Sequence, residues 1–519
     1  MADASKAHSD PIADQRKADA ASHRRAVADR MAEVVGADWT EIPAEGFAAE
    51  RERATMAALA AGTRFIWGAQ LPRDRDGGRR GMVDLLVRTP EGYVPVLVVR
   101  HKITDPGSGA RTSPFTDPVP ASSRTDPSRK VRPQPRDQLR LAHSVRMLQA
   151  AGFAVPGRGT GGVIGVDADV VVWHDLQAPT WSGGRTALSE YDSRFADRLA
   201  VATSALHGAE PLARPSRILE CRTCPWWPTC EADLRASRDV SLVVRGVDAV
   251  ALRSTGLSTV DQLAALDPAA KPPVPLVGAT FADAVILARA WQRGLALVRK
   301  VRMTNVPRAD VEVDVDMESF GESGAYLWGC WLSGEDIGEP AGYRAFATWR
   351  PLPSRDEGRS FAQFWSWLTS VRSRAMARGL SFRAYCYNEL AENRWMLASA
   401  ERFGDEPGTP SVEAVRAFIT SAEWVDLFGL VREQFLCAHG KGLKIVAPAA
   451  GFHWRDPEPG GENSMRWYRD AVGMDGGKPD PEQRQRLLHY NEDDVRATWT
   501  LRRWMSSDAV EQVPYAGDL

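Results

Sequence analysis

The sequence predicts an α/β protein with two sheet-bearing regions joined by a helical linker. Three observations carry this. Strand-like runs fall in two separate groups, one before residue 180 and one after residue 306. Helical spacing of apolar residues separates the strands within each group. The stretch between the groups has helical spacing alone. At 519 residues the chain has room for several domains, and 44% apolar content is ample for their cores.

The elements follow in order. Residues 1–20 are polar and read as a disordered tail. A first domain is expected over 21–238. Its residues 21–36 and 47–61 carry helical spacing. "RRGMVDLLVRTPEGYVPVLVVRHK" reads as two strands around a turn at Thr89-Pro90-Glu91-Gly92. The Pro-, Ser- and Arg-rich stretch 103–137 reads as a mobile loop. "DQLRLAHSVRMLQAAG" returns to helical spacing, and "GGVIGVDADVVVWHDL" reads as one or two buried strands. "CRTCPWWPTC", Cys221 to Cys230, closes this region. Residues 239–305 form the helical linker. The second domain, 306–510, opens with two strands in "ADVEVDVDMESFGESGAYLWGCWLSG" and a third in "YRAFATWRPL". A long amphipathic helix (about 359–378), a strand at "SFRAYCYN", and helices around a short strand at "EWVDLF" complete it. This order suggests an α/β sheet with an antiparallel start.

Composition narrows the function. A net charge of −2 provides no global field for nucleic acid, so any basic surface must be local. No apolar run approaches the roughly 18 residues of a membrane span. The polar first residues lack the apolar core of a secretory signal, so a cytoplasmic protein without membrane partners is expected. Six cysteines in so long a chain make no disulfide framework; their clustering points to metal or redox chemistry.

The sharpest chemistry lies in "DVEVDVDME". Val311, Val313, Val315 and Met317 alternate with Asp310, Glu312, Asp314, Asp316 and Glu318. On a strand, five carboxylates would share one face and four apolar residues the other. Cations or solvent must relieve the repulsion. Asp-x-Glu at a strand end suits hard cations such as Mg²⁺ or Mn²⁺. The competing reading is an edge strand blunted by charge. Later segments add carboxylates: Glu392 on a helix after a strand, Asp426 at the end of another, and Tyr490 and Asp494 four apart on one helical face.

Taken together, these residues resemble the DnaQ-like (DEDDy) 3′–5′ exonucleases, and within them the YprB-type RNase H-like domain, over about residues 307–507. Asp316-Met317-Glu318 matches the first motif. Asn388 and Glu392 match the second, with Glu where most relatives carry Asp. Tyr490 and Asp494 match the third, and Asp426 a further acidic position. "GLKIVAPAAGFHW" is similar to the usual connection of that subfamily. The resemblance implies hydrolysis of phosphodiester bonds with two Mg²⁺ or Mn²⁺ ions. Asp316 would bridge the ions, Glu318, Glu392 and Asp494 would complete their shells, and Tyr490 would orient the attacking water.

The first domain resembles the RecB-like PD-(D/E)XK nucleases, in the branch carrying an iron–sulfur cluster. "GMVDLLVR" matches Gly-x-x-Asp, with Asp84 as metal ligand. "VLVVRHK" stands where Glu-x-Lys belongs, with Lys102 at the lysine but Arg100 at the acid. Gln138 is kept, with Ala142 at the following tyrosine. Glu50 and Glu52 are candidates for an upstream acid. A cation in place of a metal ligand predicts a degenerate, inactive site that keeps a substrate-binding role. The alternative is that Asp84 and Lys102 are ordinary strand-end charges.

Cys221, Cys224 and Cys230 match the last three ligands of a [4Fe–4S] cluster, and no cysteine precedes them. His23, or the more distant His8, has ligand chemistry. An incomplete cluster, a Zn²⁺ site completed by His and a vestige all stay open. Trp226 and Trp227 are expected to pack over the cysteines, and Cys330, Cys386 and Cys437 to be buried thiols. The linker resembles a helix–hairpin–helix element whose Gly256 turn, Arg245 and Arg253 would meet phosphate; a plain helical spacer is the alternative. Arg129, Lys130 and Arg132, in a basic run from Arg124 to Arg140, would add nucleic-acid contacts.

The order of the parts resembles bacterial RecB-like nuclease proteins with a C-terminal YprB-type domain. It implies a metal-dependent 3′–5′ exonuclease on single-stranded DNA or RNA, in DNA repair or nucleic-acid processing, with any helicase a separate protein. The competing classes are a non-catalytic nucleic-acid-binding or helicase-recruiting scaffold and a redox-responsive cluster protein.

Overall fold

Alternating apolar residues build a sheet in each half of the chain. The computed structural model describes residues 11–209, 212 and 214–519. Two compact units meet in sequence where one closes at Arg214 and the other opens at Pro215.

In the first unit, helices Pro11–Val35 and Ala48–Ala60 precede the three strands Phe65–Gln70, Met82–Thr89 and Gly92–Val98. The helix Pro135–Ala150 leads to Thr160–Ile164, which pairs parallel to Gly92–Val98. The three strands before it run antiparallel to one another. Trp39–Glu41 and Val170–Asp175 extend the sheet, followed by Arg111–Pro114 and Arg124–Thr125. Two expectations fail here. Residues 11–20 belong to the first helix, whose later turns bury Val27, Ala28 and Met31; residues 1–10 lie outside the described residues. The stretch 103–137 is not a structureless loop. It holds four short strands, because Ile103, Ala110 and Phe115 are buried and Asp126 caps Ser128.

The second unit contains the cysteines, the linker and the C-terminal sheet. The boundary drawn at 238 therefore moves to 214, since Leu234 and Trp227 pack into the helical core of Leu252, Leu263, Phe281 and Val285. A small sheet missed in the sequence pairs Leu297–Arg299 with Phe435–Cys437.

The main sheet of this unit consists of β1 (Val311–Ser319), β2 (Ala325–Gly334), β3 (Gly342–Ala347), β4 (Phe382–Cys386) and β5 (Trp424–Asp426). Its order is β3-β2-β1-β4-β5. The first three strands are antiparallel, and β4 and β5 join parallel to β1. β1 is thus the central strand, and the edge-strand reading of its charges is overturned. Val311, Val313, Val315 and Met317 face α1 (Asp356–Ala377), packing with Phe361, Phe364 and Leu368. Helix α2 (Leu390–Arg402) follows β4. Helices α3 (Gly461–Val472) and α4 (Pro481–Met505) pack against each other and on β1.

Helix α4 covers the acidic face of β1 and divides its charges. Asp310 lies before the strand and accepts bonds from Ser381 at its surface. Glu312 is gripped by Arg308 through two bonds of 2.7 Å, and by the fully buried Arg502. Arg502 also holds Asp314 through two bonds, at 2.9 and 2.8 Å. Burial pushes Glu312 up, but Arg308 and Arg502 outweigh it and hold its carboxyl at about 2. At Asp314 full enclosure wins and raises the carboxyl despite Arg502. Of the carboxylates on β1 itself, Asp316 and Glu318 have no arginine among the described residues bonded to them.

Candidate metal centre

Asp316 and Glu318 point from the C-terminal end of β1 toward α4, where Tyr490 and Asp494 lie one turn apart. Ligand atoms of Asp316, Glu318 and Asp494 all lie within 4.8 Å of one another; among the described residues no other three His, Cys, Asp or Glu do. Each carboxylate is aimed by a neutral donor. Asn491 Nδ2 bonds Asp316 at 2.8 Å, and Tyr343 holds the Asn491 carbonyl at 2.8 Å. Ser464 Oγ bonds Glu318 at 2.7 Å, with Tyr326 at 3.4 Å. Trp454 Nε1 bonds Asp494 at 2.6 Å. Gly329 on β2 is required beneath this lattice, since a Cβ there would come 1.6 Å from Asn491 Oδ1.

The electrostatics suit a cation site. Burial raises Asp316 well above the carboxylate range, and Asp494, Glu318 and Glu392 add to it. Burial, then Asp494, pushes Glu318 up to about 7. Glu392, on the first turn of α2, is raised to about 8 by burial and then by Asp426 and Glu318. Its Oε2 is buried without a hydrogen-bond partner. Glu392 faces this centre but is not one of the three groups that converge. Tyr490 is 2% exposed, and burial beside Glu318 and Asp494 raises its phenol. Convergent carboxylates in a water-poor site, already costly as anions, are the donor set that hard divalent cations take.

Asp426 has a local task. Its Oδ1 accepts backbone N–H groups from Phe428 and Asn388, both at 2.9 Å. It caps the helix Leu427–Gln434 and holds Asn388 in its left-handed turn, φ 73°.

Six contributors were not singled out in the sequence: Asn491, Tyr343, Ser464, Tyr326, Trp454 and Lys444. Asn491 sits inside "YNEDD" next to a chosen residue, and Lys444 and Trp454 sit inside "GLKIVAPAAGFHW". Lys444 Nζ lies 3.0 Å from Tyr490 Oη and 3.0 and 3.2 Å from the two Asp494 oxygens.

Residues 404–506 match the family model described as RNase_H superfamily. This part of the chain is RNase H-like. No curated protein and no solved structure matches the chain significantly. The matched segment carries β5, α3 and α4, hence Tyr490 and Asp494. RNase H-like nucleases typically use divalent metals, and the acidic cluster fits that use.

In the first unit, Asp84 is half-buried, accepts a bond from Val98 N at 2.9 Å, and lies 3.9 Å from Arg24 and 4.0 Å from Arg140. Burial raises its carboxyl, against these arginines. Arg100 pairs with Asp19 at 3.2 Å. Lys102 is half-buried beyond the strand Gly92–Val98, and Gln138 accepts a bond from Trp181. Glu50 caps its own helix through Phe47 N, and Glu52 pairs with Arg73.

Cys221, Cys224 and Cys230 are free and half-buried, but their sulfurs do not converge as the ligands of one ion do. As placed they do not close the shell of a single ion such as Zn²⁺. Cys221 lines a cavity of about 70 Å³ with Arg217, Arg222, Trp227, Arg245 and His439. Trp227 packs into the helical core while Trp226 is 42% exposed, so the pair does not cover the cysteines together. His23 lies against the backbone of Val99 and Gly165 in the first unit; His8 is outside the described residues. Cys330 and Cys386 are buried and Cys437 half-buried.

The expected phosphate contacts are largely committed within the chain. Arg253 bonds Asp239 at 2.5 Å and Pro215 O at 3.0 Å. Arg129 pairs with Asp126 and Asp169, and Arg132 with Asp105. Arg245 is half-buried among Arg217 and Arg222, and Gly256 makes a left-handed turn at φ 86°. Lys130 is exposed on its short strand. No described helix is long and apolar enough to cross a membrane.

Proposed function

We propose that the chain is a metal-dependent 3′–5′ exonuclease of single-stranded DNA or RNA, with its chemistry at Asp316, Glu318, Glu392, Tyr490 and Asp494. One observation carries this reading: the convergence of Asp316, Glu318 and Asp494 within 4.8 Å inside an RNase H-like domain. Divalent ions, Mg²⁺ or Mn²⁺, supply Lewis acidity and lower the pKa of bound water. Asp316, Glu318 and Asp494 would hold them, with Asn491, Ser464 and Trp454 fixing the carboxylates so that little reorganisation is needed. The Tyr490 phenol stays protonated and acts as a hydrogen-bond donor that orients the attacking water; it is far too weak an acid to serve as base. Glu392, with one buried oxygen free, would accept a proton or a bound water at the edge of the centre.

We infer further that the first unit is a RecB-like nuclease fold without its own catalysis. Its helix, three strands, helix, strand order supports the fold, and the two arginines beside Asp84, Arg24 and Arg140, together with Arg100 where the motif has an acid, support the loss of a cation site. The test compares wild type, Asp316→Ala and Asp84→Ala on end-labelled single-stranded DNA and RNA with Mg²⁺ or Mn²⁺. Wild type and Asp84→Ala should shorten strands from the 3′ end, and Asp316→Ala should not. Equal shortening by Asp316→Ala refutes the site. Strand binding without shortening by wild type favours a non-catalytic scaffold.

A further inference from the structure

The proposed reaction gives no task to Lys444, yet its ammonium stands inside the acidic centre. It touches Tyr490 Oη and both oxygens of Asp494. Its Nζ also lies 4.9 Å from the Tyr490 ring and 5.3 Å from the Trp454 ring. Among the described residues, the hydrogen bonds to Asp316 and Glu318 come from neutral groups, Asn491, Ser464 and Tyr326. Among the described residues, Lys444 is therefore the cation that answers this cluster. Arg502 does the same for the other half of the strand, but through a rigid fork on a fully buried pair. A lysine is the opposite kind of partner: one point charge on a flexible stem, able to let go of a carboxylate without leaving the site.

From this geometry we infer that Lys444 is a positioning residue that holds Tyr490 and Asp494 in place and sets the affinity of the centre for divalent cations. The inference rests on the nuclease reading of the centre. A divalent cation on Asp494 must share that carboxylate with the ammonium or displace it. Either way the fixed positive charge opposes binding, and at ion-pair separations in a buried site one charge outweighs a factor of ten. The same ammonium bridges two side chains one turn apart on α4, so it also fixes where the Tyr490 hydroxyl points. Trp454 Nε1 remains on Asp494 when Lys444 is replaced, which keeps the carboxylate aimed.

The two roles have opposite signs, and that makes the test sharp. Mn²⁺ binding to the full chain is followed by titration calorimetry and by loss of the free-ion electron paramagnetic resonance signal. Wild type, Lys444→Met and Lys444→Arg are compared, with Asp316→Asn to assign binding to this centre. Lys444→Met should bind Mn²⁺ at least tenfold more tightly while strand shortening falls at least tenfold. Lys444→Arg should keep wild-type Mn²⁺ affinity and recover part of the rate. Melting in a chelator checks that each variant folds, and Lys444→Gln replaces Lys444→Met if the latter does not. Unchanged or weaker Mn²⁺ binding in the folded neutral variant overturns the proposal, as does the absence of Mn²⁺ binding in every form. Tighter Mn²⁺ binding in a protein that never shortens strands upholds the role of Lys444 and refutes the nuclease reading instead.

Discussion

The metal-free centre should make this protein less stable as pH rises. Glu318 is raised from its ordinary 4.5 to about 7, and Glu392 from 4.5 to about 8. For a group whose folded pKa is raised, the favourable contribution is complete below the unfolded value and is lost as pH climbs through the folded value. The unfolded chain releases these protons near 4.5, whereas the folded one keeps them to neutrality. Between pH 6 and pH 8 the two groups together then cost on the order of 3 kcal/mol. For a unit of this size that is a drop in melting temperature of about 5 °C. Thermal unfolding in a chelator at both pH values measures it. The double variant Glu318→Gln, Glu392→Gln removes both titrations, so the contribution is the difference between its pH dependence and that of wild type. Saturating Mg²⁺ should shrink the wild-type loss, because bound cations favour the ionised carboxylates. Parallel pH dependences for wild type and the double variant in chelator would refute the reasoning.

Two further outcomes follow from the packing around β1. Arg502→Met leaves Glu312 and Asp314 buried without their shared cation, and should cost about 3–5 kcal/mol in urea unfolding of the second unit. Gly329→Ala drives a methyl group into Asn491 and so disturbs the bond to Asp316; strand shortening should fall at least tenfold, measured with substrate in excess.

Alternation made the core strand readable, because Val311, Val313, Val315 and Met317 leave no other face for packing. The parallel additions at Phe382–Cys386 and Trp424–Asp426 were readable for the same reason, as short apolar runs between helical spacings. The division of the acidic face was not. Arg502 lies 188 residues beyond Asp314, and nothing local to "VEVDVDME" says which carboxylates an arginine will neutralise. Lys444, Ser464 and Trp454 were hidden likewise: single polar residues in loops and helices, whose bonds to Asp494 and Glu318 form only when distant segments meet. The boundary near residue 214 was misdrawn because the cysteine spacing suggested a closing clasp for the preceding domain. Leu234, an apolar residue just after it, instead joins the helical core that follows. The order seen in 103–137 was masked by Pro, Ser and Arg, whose composition says nothing of the ion pairs Arg132–Asp105 and Arg129–Asp126.

The buried arginine that clamps β1 also has a metrical consequence. Arg502 and Asp494 are eight residues apart on α4, a rise of about 12 Å. Asp314 and Glu318 are four residues apart on β1, a rise of about 13 Å. Two turns of helix and four steps of strand are thus commensurate, and the Arg502 clamp zeroes the scale at one end so that Asp494 comes level with Glu318 at the other. The spacing works as a calliper. Inserting or deleting a single residue in α4 between these two positions would swing Asp494 about 100° around the helix axis, while leaving the clamp, the sheet and every residue of the site chemically intact.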